Sequence, residues 1–304
     1  MATEALAMHG RPSGPGALAD YWALTKPDVN LLILITTAAG FYLGLPMQAV
    51  GFPILLLCHT LLGTLLVASG TATLNQYVER EFDAQMRRTK RRPLAAGRID
   101  PSRVLWLGIT LSVSGAIYLA VAVNLLASLL TVLTLLSYLL LYTPLKRKTP
   151  LCTLVGAFPG AVPPLIGWAA ASGTLSVGAW VLYGLVFLWQ FPHFMAIAWM
   201  YREDYDRAGY LVLPRGNARV PFVVLQTILP LIALVAIGIV QTPARHATIF
   251  CLAATLLGLG FLYFGLKFVF ARSREAARRL LAASIIYLPL LFALSALLCN
   301  GATK

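Results

Sequence analysis

Apolar residues run in long stretches divided by short polar breaks: 29–45, 52–78, 104–123, 124–142, 151–171, 175–199, 220–240, 247–270 and 280–299. Most hold about 20 residues, enough at roughly 1.5 Å per residue to cross a hydrocarbon layer about 30 Å thick. The third and fourth stretches abut. As one helix, 104–142 would reach about 58 Å, nearly two bilayers, so it must fold back as a hairpin with its turn near Asn124. The pattern predicts an all-α integral membrane protein of nine transmembrane helices.

Composition agrees: 59% of the 304 residues are hydrophobic and only 12% are charged, against about a quarter charged in a soluble domain. Residues 1–20 hold one arginine and no apolar core, so they are expected to be a short disordered cytoplasmic lead before a single domain at 21–300. The formal charge of +13 raises the question of nucleic acid. Placement answers it. Of 24 lysines and arginines, all but Arg245 and Lys304 fall in or beside alternate connections, on one side of the predicted spans. Positive residues gather on the cytoplasmic side, which predicts a cytoplasmic N-terminus, an outside C-terminus and no nucleic-acid partner. Cys58, Cys152, Cys251 and Cys299 lie in apolar stretches without paired spacing, which argues against a disulfide framework or a metal knuckle.

The fifth stretch, LCTLVGAFPGAVPPLIGWAAA, carries Pro159, Pro163 and Pro164 among glycines. Such a helix must kink, and the carbonyls it frees need partners inside the bundle.

Six of the 11 acidic residues stand in two places: Glu79, Glu81 and Asp83 after the second stretch, and Glu203, Asp204 and Asp206 after the sixth. The connections are equivalent and four helices apart, a faint sign of an internal repeat. Asn75, Glu79 and Asp83 recur every fourth residue, so their oxygens form one stripe on a helix face. Hard oxygen donors in that pattern suit Mg²⁺, which completes its shell with water and phosphate. Bases follow the acids at Arg87, Arg88, Lys90, Arg91 and Arg92, and again at Lys146 and Arg147 beyond Tyr142. Arginine forks and lysine point charges grip phosphate oxygens. Acid stripe, bases and kinked apolar bundle together predict a substrate with a diphosphate head at the cytoplasmic interface and a greasy tail in the membrane. His193 follows Pro192 inside the sixth stretch, and an ionisable group at that depth is a functional candidate. His59 has no motif around it and is taken as structural.

The run from Asn75 through Glu79 and Asp83 to MRRTKRRPL resembles the first acidic motif of the UbiA-type intramembrane prenyltransferases. YWALTKPDVNLLILITTAAG, LYTPLKRKTP, GAFPGAVPPLIGWAA, WQFPHFMAIAW and REDYDRAGYLVLP resemble the branch of that family that farnesylates protohaem. The resemblance implies nine helices around a central cavity in the bacterial inner membrane, with a cytoplasmic active site. It implies farnesyl diphosphate and haem B as substrates, haem O as product, and haem A synthase or oxidase-assembly proteins as downstream partners. By position it implies Asn75, Glu79, Asp83, Asp204 and Asp206 as Mg²⁺ ligands and Lys146 as a catalytic residue. It further implies Tyr142, Arg88 and Arg147 near the diphosphate or haem, and His193 positioning or ligating haem. Position 79 is Glu where the family usually has Asp, which displaces the carboxylate by about one methylene. Two other readings share part of the pattern. An enzyme prenylating 4-hydroxybenzoate would have the acidic motifs but not WQFPHF or DYDRAG. A transporter or haem carrier would place its ionisable groups near the midplane, whereas these acids sit at the cytoplasmic ends.

Overall fold

The computed structural model describes residues 16–46, 51–240 and 247–299. Of the expected lead, residues 1–15 lie outside that range, and residues 17–20 belong to a helix, α1 (Ala17–Leu24). There follow α2 (Pro27–Leu43), α3 (Ile54–Asp83), α4 (Pro101–Ala122) and α5 (Leu125–Leu136). The fourth span continues through a π-helical turn, Ser137–Tyr142, into the short α6 (Thr143–Leu145). Then come α7 (Cys152–Gly160), α8 (Pro163–Ser172), α9 (Val177–Met200), α10 (Arg202–Arg207), α11 (Arg219–Val240), α12 (Ala247–Ala271) and α13 (Arg274–Cys299).

Among the described residues, eight helical segments are long and apolar enough to cross a membrane. The first predicted span, α2, is shorter at 17 residues. The hairpin forms where expected: Asn124 caps α5 by accepting from Ala127 N, and its amide also donates to Ala169 O at 2.8 Å. The proline-rich fifth span breaks into α7 and α8 at Ala161 and Val162. Gln190 of α9 braces the break by donating to Ala157 O at 3.1 Å.

Small residues let the helices close up, as expected where lipid offers no hydrophobic gain for association. α2 and α8 run side by side, and a Cβ at Gly40 would lie 2.1 Å from Pro164 O. At Gly167 it would lie 1.9 Å from Thr37 O. The antiparallel pair α3 and α4 meets at Gly63, Gly70, Gly108 and Gly115. Large apolar side chains also stud the outer surface, among them Leu129, Leu133, Leu252 and Leu256. That is the arrangement for a lipid solvent.

The basic connections come together at one end of the bundle. Arg98 pairs with the buried Asp20 of α1 through three hydrogen bonds. Arg88 N donates to Asp204 Oδ2 at 3.2 Å. Leu211 N donates to Lys146 O at 2.7 Å, and Trp199 Nε1 to Arg272 O at 2.8 Å.

Candidate active site at the charged end of the bundle

α3 runs five residues past the predicted end of its span, so Asn75, Glu79 and Asp83 stand on one continuous helix. All three are buried, with 2%, 6% and 1% of their surface exposed. Their face turns into the bundle. Arg80 and Glu81, off that face, pair with each other at 3.3 Å with the Glu81 side chain exposed.

Each residue of the stripe meets a cation from another part of the chain. Lys26 Nζ donates to Asn75 Oδ1 at 3.0 Å. Lys146 Nζ donates to Glu79 Oε1 at 2.8 Å and lies 4.5 Å from the Tyr142 ring centroid. Arg92 Nη1 donates to Asp83 Oδ2 at 2.6 Å. Asp204, also buried, receives Arg207 Nη1 at 3.0 Å and the Arg88 backbone N–H.

Local structure explains how the cations arrive. Lys26 joins α1 to α2 with a φ of 52°, in the left-handed region that costs a side-chain-bearing residue energy. The turn is held open on both sides: Gln76 Nε2 donates to Leu24 O at 2.8 Å, and Asn30 Nδ2 to Thr25 O at 2.9 Å. Burial lowers the Lys26 ammonium to about 7, with Arg92 and Lys146 pushing the same way and Glu79 and Asp83 opposing. The segment after α3 folds back over the helix end, with Met86 and Leu94 buried and Thr89 Oγ1 donating to Asp83 O at 2.9 Å. That places Arg92 on Asp83. The π-helical turn before α6 sets Tyr138, Tyr142 and Lys146 on the Glu79 side, and such turns recur at functional sites.

The remaining candidates divide. Arg88 lies over Tyr201 and Tyr205, 4.9 and 5.8 Å from the ring centroids, and bonds the Tyr205 hydroxyl at 3.3 Å. Arg147 packs 4.2 Å from the Phe82 ring centroid. Asp206 stands apart. Its half-exposed carboxylate pairs with Arg219 at 3.2 Å and touches none of the α3 acids. His193 lies deeper, within α9, with Nδ1 2.8 Å from Ser284 Oγ of α13. His59 Nδ1 is 2.5 Å from the Tyr118 hydroxyl, linking α3 to α4.

Sequence reasoning passed over Lys26 and Tyr210. Lys26 carried one local sign, a lysine before a helix-starting proline in a segment with almost no other charge. Tyr210 carried none. Its buried hydroxyl stands beside Glu79, and burial, helped by that carboxylate, pushes its phenol up.

By donor type the buried carboxylates suit Mg²⁺. Among the described residues no three His, Cys, Asp or Glu come together as a ready cage; each acid faces a cation instead. Such a set fits a metal that shares its shell with phosphate oxygens.

Comparison with known proteins gives the family of the chain. Residues 33–297 match the UbiA prenyltransferase family. The chain is 45% identical over 282 residues to a protoheme IX farnesyltransferase from Solibacter usitatus (strain Ellin6076), covering 90% of this chain and 97% of that one. A mitochondrial protoheme IX farnesyltransferase from Arabidopsis thaliana is 39% identical over 274 residues, 88% of this chain and 62% of that one. Among solved structures, a UbiA homologue from Archaeoglobus fulgidus bound to GPP and Mg²⁺ shares the fold with a TM-score of 0.64 at 15% identity, over 90% of this chain and 99% of that one. A structure of digeranylgeranylglyceryl phosphate synthase superposes with a TM-score of 0.69 at 16% identity, over 92% and 97%. The chain is a prenyltransferase and belongs to the UbiA family.

Proposed function

We propose that the chain transfers a farnesyl group from farnesyl diphosphate to a vinyl group of protohaem IX, giving haem O at the cytoplasmic face of a bacterial inner membrane. The N-terminus lies inside and the C-terminus outside. One observation supports this most: a buried row of acids, each matched to its own cation, at the charged end of an apolar bundle. The likeness to protoheme IX farnesyltransferases over nine-tenths of the chain supports haem as the acceptor.

The basic side chains bind the diphosphate head. Lys26, Arg92 and Lys146 release part of their hold on Asn75, Asp83 and Glu79 to phosphate oxygens and neutralise charge on the leaving group. Asn75, Glu79, Asp83 and Asp204 hold Mg²⁺ when it is bound, which supplies Lewis-acid stabilisation of the departing diphosphate. Tyr210, beside Glu79, can donate its hydroxyl to a phosphate oxygen. Breaking the C1–O bond releases diphosphate and leaves an allylic cation. The haem vinyl π electrons form the new C–C bond, and water adds to the resulting cation with loss of a proton. Packed apolar walls keep water from the first cation. The chemistry requires no serine or cysteine nucleophile. His193, deeper than the acids, faces the haem.

Purified protein given farnesyl diphosphate, Mg²⁺ and either haem B or 4-hydroxybenzoate, followed by mass spectrometry, tests the reading. Farnesylated, hydrated haem is expected only in the first reaction. Prenylated 4-hydroxybenzoate with unmodified haem overturns it.

A further inference from the structure

His193 and Ser284 are 91 positions apart and meet across α9 and α13, with His193 Nδ1 2.8 Å from Ser284 Oγ. A serine hydroxyl carries one proton. Ser284 directs it to the Leu281 carbonyl at 2.6 Å, and a carbonyl only accepts. The Ser284 oxygen is therefore the acceptor, and the imidazole donates from Nδ1. A neutral imidazole protonated there carries its lone pair on Nε2, and Nε2 makes no hydrogen bond among the described residues. The ring is held in plane as well. It stacks on Trp189 with centroids 4.7 Å apart and an interplanar angle of 28°, and meets Phe194 edge-on at 5.6 Å. Trp189 Nε1 in turn donates to Ser284 O at 2.8 Å. One wholly buried serine thus grips the imidazole by its hydroxyl and the ring beneath it by its carbonyl.

We propose that Ser284 is a positioning residue: it holds His193 as the Nδ1–H tautomer and so presents the Nε2 lone pair to the iron of the porphyrin substrate. The second half rests on the reading of His193 above; the tautomer does not. Partners of this kind fix tautomer and ring orientation at metal-binding histidines generally, and their loss typically costs ten- to a hundredfold in affinity.

The tautomer is read directly from the ¹⁵N spectrum of histidine-labelled protein in bilayers, without haem. Wild type should show a protonated Nδ1 for His193, a state lost in Ser284→Ala and kept in Ser284→Thr. Titration of haem B, followed by its absorption spectrum, should show roughly tenfold or greater weakening in Ser284→Ala, comparable loss in His193→Ala, and recovery in Ser284→Thr. Farnesyl diphosphate binding, unchanged in all three, controls for folding. A wild-type His193 protonated on Nε2, or a Ser284→Ala protein that keeps the Nδ1 proton, overturns the role of Ser284 itself. If the tautomer behaves as expected but His193→Ala leaves the haem titration unchanged, the haem reading of His193 fails and the iron-directed half fails with it.

Discussion

Lys146 Nζ lies 2.8 Å from Glu79 Oε1 with both side chains largely buried, joining residues 67 positions apart. Removing one partner of such a pair strands the other charge, at a cost of about 3–5 kcal/mol; removing both can be nearly neutral. Lys146→Met should therefore lower the melting temperature in detergent well below wild type, and adding Glu79→Gln should recover most of the loss. Neither protein should transfer a prenyl group. A double variant that stays as unstable as Lys146→Met would show that the pair is not what stabilises the site.

Asp83 accepts from Arg92 at 2.6 Å and is the most buried acid of the stripe. Asp83→Asn keeps the shape but loses the charge that would share a metal with diphosphate, so turnover should fall at least a hundredfold. EDTA should abolish turnover in wild type, and excess Mg²⁺ should restore it. Product formation by mass spectrometry reads both, and full activity in either sinks the metal assignment.

Lys26 is held in a left-handed backbone conformation with its ammonium on Asn75. Strain of this kind persists where the surroundings enforce it, commonly at functional sites. Lys26→Gln keeps a donor but removes the charge. The KM for farnesyl diphosphate should rise about tenfold, equivalent to ~1.4 kcal/mol, with haem B binding unchanged. An unchanged KM would make the lysine structural only.

At Gly40 an added methyl would meet the Pro164 carbonyl at 2.1 Å, whereas at Gly184 it would meet nothing within 4 Å. Gly40→Ala should destabilise the bundle by about 1–3 kcal/mol, the usual range for overpacking, and Gly184→Ala should be neutral. Thermal unfolding in one detergent compares them. Equal melting temperatures would refute the close α2–α8 contact.

Asp206 pairs with Arg219 through a half-exposed carboxylate. Exposed pairs contribute about 0–1 kcal/mol, so Asp206→Asn should keep turnover within about twofold, while Asp204→Asn should lose most of it. A steady-state assay of the two separates them, and a severe defect in Asp206→Asn would return it to the metal set.

Much of the site was legible because it is local. Four-residue spacing alone puts Asn75, Glu79 and Asp83 on one face, and the structure keeps them there on one helix. The length of the 104–142 run required a hairpin, which the structure turns at Asn124, and three prolines announced the break between α7 and α8. Asp206 shows the limit. It shares a short charged segment with Asp204 but lies two residues away, so the helix α10 turns the two carboxylates in different directions, to Arg219 and to Arg207. Proximity in sequence put the two carboxylates in one group, and helical geometry gives each its own cation.

By itself, then, the sequence determined the membrane-spanning segments, the gathering of basic residues in alternate connections and the face on which the first acids stand. These follow from hydrophobicity and helical periodicity, which act over a few turns of chain. Only the tertiary structure decided the partners: Lys26 on Asn75, Lys146 on Glu79, Arg92 on Asp83 and Ser284 on His193. Periodicity tells which way a side chain leaves its own helix. It carries no information about which of several equally basic connections will fold over to meet it, because that depends on how closely glycine-lined helices such as α2 and α8 pack and on how the segment after α3 turns back.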